Sequence, residues 1–118
     1  MSNQDWVKPA LLKLAKLLDL PDDWCGHPSF AVKPECALSA LEFLRKEVPL
    51  ACQPADISAT VDGGICLWWG ACSVYVRIFF GPKGISEFVI VDGRECAVNE
   101  ALLTLAIRLS QNQPETGG

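Results

Sequence analysis

The sequence predicts an α+β domain: two N-terminal helices, a four-stranded antiparallel meander and a C-terminal helix packed on one sheet face. Three observations carry that expectation. Apolar residues recur at helical spacing near both ends of the chain. Between about residues 57 and 91 the period drops to two. Turn signals then cut that stretch into strands too closely joined for parallel pairing. With 118 residues, half of them hydrophobic, the chain makes one domain with a real core and is too apolar to be disordered. The domain is expected over residues 1–110, with a polar tail at 111–118.

The first helix is expected from about Trp6 to Leu18, with Val7, Leu11, Leu14 and Leu18 on one face. Asp5 is a suitable N-cap, and Pro9 falls in the first turn, where its missing N–H does least harm. Pro21 stops the helix, because the residue before a proline avoids helical geometry. Residues 21–33 read as an ordered loop anchored by Trp24, Phe30 and Val32. The second helix starts at Pro34, buries Ala37, Leu41, Leu44 and Val48, and carries a Glu42–Lys46 surface pair. Pro49 ends it.

Ile57, Ala59 and Val61 then alternate with polar residues. Asp62-Gly63-Gly64 turns the chain into Ile65, Leu67 and Trp69, with Cys66 and Trp68 on the opposite face. Gly70 and Ala71 are the next expected turn. Val74, Val76, Ile78 and Phe80 line one face of the third strand, and Tyr75, Arg77 and Phe79 the other. Gly81-Pro82-Lys83-Gly84 leads to a fourth strand with Phe88 and Ile90, closed by Asp92-Gly93. The last helix, about Ala97 to Leu109, buries Val98, Leu102, Leu105 and Leu109, with Leu103 and Ile107 widening the stripe. One helical layer covers one sheet face. The face with Trp68, Tyr75 and Phe79 is therefore either covered by the 21–33 loop or a docking surface.

Charge and cysteine content narrow the function. Ten Lys+Arg against fourteen Asp+Glu give −4, and the basic residues form no stripe, which disfavours direct nucleic-acid binding. No apolar run approaches a membrane span and residues 1–5 have no export-signal pattern, so a cytoplasmic setting is expected. The six cysteines have no metal-knuckle spacing and are expected to stay reduced as small apolar residues. Cys25 and His27 form the most reactive-looking pair, suited to a thiol nucleophile or, with Cys36, to zinc. The chain has one histidine and nothing obvious to orient it, so a packed loop is the favoured reading. Asp22 and Asp23 are adjacent, and adjacent carboxylates rarely converge on one reacting atom. No catalytic residue, metal or cofactor is assigned.

The stretch Leu20-Pro21-Asp22-Asp23-Trp24-Cys25-Gly26 and the stretch Asp62-Gly63-Gly64-Ile65-Cys66-Leu67-Trp68-Trp69 carry a resemblance. The chain resembles a diffuse group of small bacterial proteins with a Leu-Pro-x-x-Trp-Asp-Gly loop and an Asp-Gly-Gly-Ile-x-Leu-x-Trp strand. Trp69 aligns with the group's tryptophan, and Cys25 stands where the group has Asp. The resemblance covers about residues 19–93 and implies an α+β layout and an intracellular setting. It implies no activity.

The expected function is that of a small acidic, non-catalytic protein-binding module. Trp68, Tyr75, Arg77 and Phe79, with Asp22, Asp23, Trp24 and His27 of the loop, are the expected contacts. The partner is expected to be a protein with a basic surface, met by occlusion of its site, as immunity proteins, antitoxins and phage-encoded inhibitors of host defence of this size and charge do. A thiol or zinc site at Cys25 and His27, and a homo-oligomeric subunit that buries the aromatic face, are the alternatives.

Overall fold

The computed structural model describes residues 6–24 and 29–112. Three helices and five strands follow in the order α1 (Val7–Leu18), α2 (Pro34–Lys46), β1 (Asp56–Ala59), β2 (Ile65–Ala71), β3 (Val74–Gly81), β4 (Gly84–Val91), β5 (Arg94–Glu95) and α3 (Val98–Asn112). The strands form one antiparallel sheet in sequence order. The fold is the predicted α+β layout with one strand more. Arg94 and Glu95 add a two-residue fifth strand because Asp92 and Gly93, at φ +53° and +83°, make a tight two-residue turn.

The helices form where expected, with shifts in which side they bury. α1 buries Ala10 and Leu14, with Trp6 buried just before it, while Leu11 and Leu18 are exposed. The Trp6 indole N–H donates to the Leu50 carbonyl at 2.7 Å and turns the helix onto that side. The N-cap position is Trp6, with no side-chain cap; Asp5 lies outside the described residues. In α2, Pro34 takes the first helical position after an extended Lys33, and Glu35, Arg45 and Lys46 complement the helix dipole. Its buried stripe is Cys36, Ala37, Ala40 and Leu44. The Glu42–Lys46 pair is present at 4.0 Å but exposed. In α3, Leu103 and Ile107 are 58% and 50% exposed, so the buried stripe is narrower than their hydrophobicity predicts.

Two strand boundaries differ from expectation. β1 ends at Ala59, because Thr60 N–H bonds the Gly64 carbonyl and starts the turn, leaving Val61 exposed. β2 runs through Gly70 and Ala71; the turn falls at Cys72 and Ser73, at φ +53° and +61°. Gly70 is small for a different reason. A Cβ there would lie 3.0 Å from Cζ2 of Trp68, whose indole lies against it.

The core lies between the helices and one sheet face. Ile65, Leu67, Trp69, Val74, Val76, Ile78 and Phe80 supply the sheet side, and Leu14, Ala40, Leu44, Ala101, Leu102 and Leu105 the helical side. Phe43 of α2 meets the rings of Trp69 and Phe80 at 6.3 and 5.8 Å. Buried polar groups here are paired: Trp69 Nε1 donates to the Cys52 carbonyl at 3.0 Å, and the Cys52 thiol to the Leu102 carbonyl at 3.3 Å.

Candidate functional site

The second sheet face follows from the same register. Side chains alternate along a strand, and cross-strand partners share a face. Trp68 lies opposite Arg77, which lies opposite Phe88; Cys66 lies opposite Phe79; Gly70 lies opposite Tyr75, which lies opposite Ile90. Trp68, Tyr75, Arg77 and Phe79 thus come together as predicted, on the face away from the helices. None of them belongs to the core cluster. All four are half-buried, by one another and by the strands, and Phe88 is 53% exposed.

Their geometry is ordered. Tyr75 sits at the centre of an aromatic row, edge-on to Trp68 at 6.1 Å and to Phe88 at 5.7 Å. Gly70, opposite Tyr75, leaves room for the Trp68 indole to lie along the strand. The Arg77 guanidinium lies 5.5 Å from the Tyr75 ring centre. The ion pairs among the described residues are Lys13–Asp56, Glu42–Lys46 and Asp92–Arg108, so Arg77 has no carboxylate partner there. Trp68 Nε1 and Arg77 Nε are both buried without a hydrogen-bond acceptor. Such groups cost about 1–3 kcal/mol each when dehydrated and unpaired. Burial pushes the Cys66 thiol pKa up, and the charge of Arg77 pulls it partly back.

Phe88 was missed as a site residue by the sequence reading. The signal was present: counting back from a two-residue turn at Pro82 and Lys83 puts Phe88 opposite Arg77.

The loop residues are engaged within the chain. Ala31 N–H donates to Asp22 Oδ1 at 2.8 Å, and Ser29 N–H to Asp23 Oδ1 at 3.1 Å. Asp23 N–H bonds the Ser29 carbonyl at 2.7 Å, and Trp24 Nε1 donates to the Phe30 carbonyl at 3.1 Å. Asp22, Asp23 and Trp24 therefore clamp residues 29–31. That stretch and Lys33 dock onto the Gly-Gly turn, with Phe30 N–H on the Val61 carbonyl (2.9 Å) and Lys33 N–H on the Gly63 carbonyl (2.8 Å). The turn is held by Gly64 N–H on Thr60 Oγ1 (3.0 Å) and by a hydroxyl bond from Thr60 to Asp62. Gly64 admits no side chain: a Cβ would lie 2.5 Å from the Phe80 carbonyl oxygen. The two motifs quoted from the sequence thus meet in space through residues 29–33.

Phe30 is 63% exposed and shares an open groove of about 690 Å³ with Phe79, Lys33, Asp62, Pro82 and Lys83. The described part of the loop therefore reaches the Phe79 corner of the face. His27 and Cys25 lie outside the described residues. Cys36, the third member of the conceivable zinc set, is buried on α2, and burial raises its thiol pKa. Among the described residues no three His, Cys, Asp or Glu side chains are placed to hold a metal. Among the same residues no helix is long and apolar enough to cross a membrane.

The chain matches no protein-family model, no curated protein and no solved structure.

Proposed function

We propose that this protein is a non-catalytic binding module that docks the helix-free face of its sheet on a protein partner and occludes a site there. One observation carries the reading. A face with three aromatic rings in edge contact and an arginine among them lies outside the core, with two buried N–H groups lacking acceptors. Aromatic rings and arginine are the residue types that carry most binding energy at protein interfaces. The half-buried side chains of the face define what the partner brings: an acceptor for the accessible part of the Arg77 guanidinium, and an apolar surface for Phe88 and Phe79. The net charge of −4 would speed encounter with a partner that is basic overall. Asp22, Asp23 and Trp24 contribute by holding the loop that forms the Phe79 corner. The proposed setting is the cytoplasm, where Cys36, Cys52, Cys66 and Cys96 remain thiols. Inhibitors, immunity proteins and antitoxins act by this kind of occlusion.

The test is affinity capture from the native host with the natural protein, Trp68→Ala, Arg77→Ala and, as a control on the α1–α2 surface, Leu38→Ser. A specific partner lost with the first two variants and kept with the third supports the reading. The same partner held with unchanged affinity by Trp68→Ala and Arg77→Ala removes it. A natural protein that is a dimer in dilute solution, and a monomer as Trp68→Ala, replaces it with a homo-oligomer built on this face.

A further inference from the structure

One stretch of the sheet border has no strand beside it. β5 pairs only with Ile90 and Val91 of β4, so residues 84–89 form the outer border of the sheet among the described residues. The turn fixes the hydrogen-bond directions. Gly81 and Gly84 close a two-residue turn, so Gly84, Ser86 and Phe88 aim their N–H and C=O groups at β3. Ile85 and Glu87 aim theirs outward. Natural sheets blunt such borders by shortness, proline, charge or cover. The opposite border is blunted: β1 has four residues and α1 packs against it. On β4 the one blunting residue of this kind is Glu87, and Ile85 and Phe88 beside it are exposed.

Two clefts adjoin this border on the helical side. One, of about 260 Å³, lies at Glu87 and is lined by Phe43, Val98 and Leu102 with Glu47 and Asn99. The other, also about 260 Å³, lies at Ile85 and is lined by Phe43 and Phe80 with Ser39, Glu42, Lys46 and Glu47. The first combines an apolar floor with two carboxylates. That suits a lysine or arginine, whose aliphatic stem lies on the floor while its head meets the carboxylates.

We propose that residues 84–88 of β4 bind an extended segment of a partner protein as an added antiparallel strand, with a basic residue opposite Glu87. Cross-strand partners share a face, so that basic side chain falls over the carboxylate cleft. The residue opposite Ile85 falls over the second cleft and meets the exposed Ile85 side chain, which favours an apolar residue there. A residue adjoining the basic one emerges on the helix-free face beside Phe88 and is also apolar. The outward groups of Ile85 and Glu87 supply main-chain hydrogen bonds, and the clefts supply selectivity. A second copy of this chain fits less well, because self-pairing centred on Glu87 sets two carboxylates against each other. The inference stands apart from the docking face: it uses the main-chain border and needs neither Trp68 nor Arg77.

The test is selection of random heptapeptides displayed on phage against the purified protein, repeated with Glu87→Pro and Glu87→Lys. Proline at 87 removes an outward N–H and leaves the bonds to β3 in place, which circular dichroism and amide exchange of β3 will verify. Enriched peptides are expected to carry Lys or Arg with an apolar residue two positions away. Binding of the synthetic winner is expected to fall about tenfold or more in both variants and to protect the Ile85 and Glu87 amides from exchange. Enrichment without that alternation, no enrichment, or equal binding to Glu87→Pro overturns the proposal. A natural protein that sediments as a dimer and becomes a monomer as Glu87→Pro assigns the border to a second copy instead. Both variants keep Trp68 and Arg77, so failure here and failure of the docking face are distinguishable.

Discussion

The two faces of the sheet are built from the same strands and have opposite chemistry. Neighbours Trp68 and Trp69 make the contrast plain. Trp69 is 1% exposed, packs against Phe43, and gives its indole proton to the Cys52 carbonyl. Trp68 lies half-buried against Gly70 and Tyr75, with its indole proton dehydrated and unpaired. Apolarity does not separate the two sides, since both are rich in large apolar groups. Satisfaction of polar atoms does. Among the described residues the buried side-chain donors of the helical side find acceptors within the chain, whereas Trp68 Nε1 and Arg77 Nε on the other side do not.

The largest test of that contrast is Trp69→Ala against Trp68→Ala. Trp69→Ala is expected to cost about 3–5 kcal/mol in urea unfolding, by leaving a cavity under α2. Trp68→Ala is expected to cost about 1 kcal/mol or less, because it also removes an unpaired donor. Equal losses would erase the distinction between the faces.

Alkaline titration comes next. Burial pushes the Cys52 thiol from 9.0 up to about 11 in the folded protein. A raised folded value means that the thiol's contribution is fully present below pH 9.0 and is lost as pH rises through about 11. The loss amounts to roughly 2–3 kcal/mol. Unfolding free energy measured from pH 8 to 11 is expected to fall more steeply in the natural protein than in Cys52→Ala. Matching slopes would mean that the helical side does not exclude water from Cys52. On the other face, where Arg77 offsets part of the burial effect, Cys66 is expected to alkylate before Cys52.

Glycines sharpen the comparison further. Gly64→Ala drives a Cβ into the Phe80 carbonyl and is expected to cost about 1–3 kcal/mol in urea unfolding. Gly70→Ala brings its Cβ nearest to the Trp68 side chain, which unlike a main-chain carbonyl can swing away. It is expected to leave stability nearly unchanged while weakening capture of the partner. A Gly70→Ala variant that unfolds as easily as Gly64→Ala would make the aromatic row structural.

The smallest expected effect has the opposite sign. Arg77→Met replaces a half-buried guanidinium, whose Nε has no acceptor, with an apolar chain and is expected to stabilise the free protein by about 1 kcal/mol. Destabilisation of that size would show that Arg77 serves the fold.

Much of this contrast was legible in the sequence. Strict alternation through Val74, Val76, Ile78 and Phe80 assigned the faces of β3, and the same alternation separated Trp68 from Trp69. Helix burial was less legible. Leu11, Leu18, Leu103 and Ile107 are as apolar as their buried neighbours, and only the tertiary positions of α1 and α3 decide which leucines meet the sheet. Gly70 misled because glycine reads as a turn, while here it accommodates an indole. The roles of Asp22, Asp23 and Trp24 were hidden because their partners are main-chain atoms of residues 29–31, and main-chain partners leave no mark on side-chain identity.

The late position of α3 has a consequence for synthesis. β2, β3 and β4 are joined by two-residue turns and can pair as soon as they leave the ribosome, since their contacts are short in sequence. Leu102 and Leu105 of α3, the helix that packs on β3 and β4, follow only after the sheet is made. For that interval α1 and α2 are the only helices that can cover the meander, and the part of β3 and β4 that α3 packs against is open to water and to other chains. The weight of correct maturation therefore falls on a single helix that closes behind the sheet, and conditions that slow its arrival are those in which this chain is most exposed to aggregation.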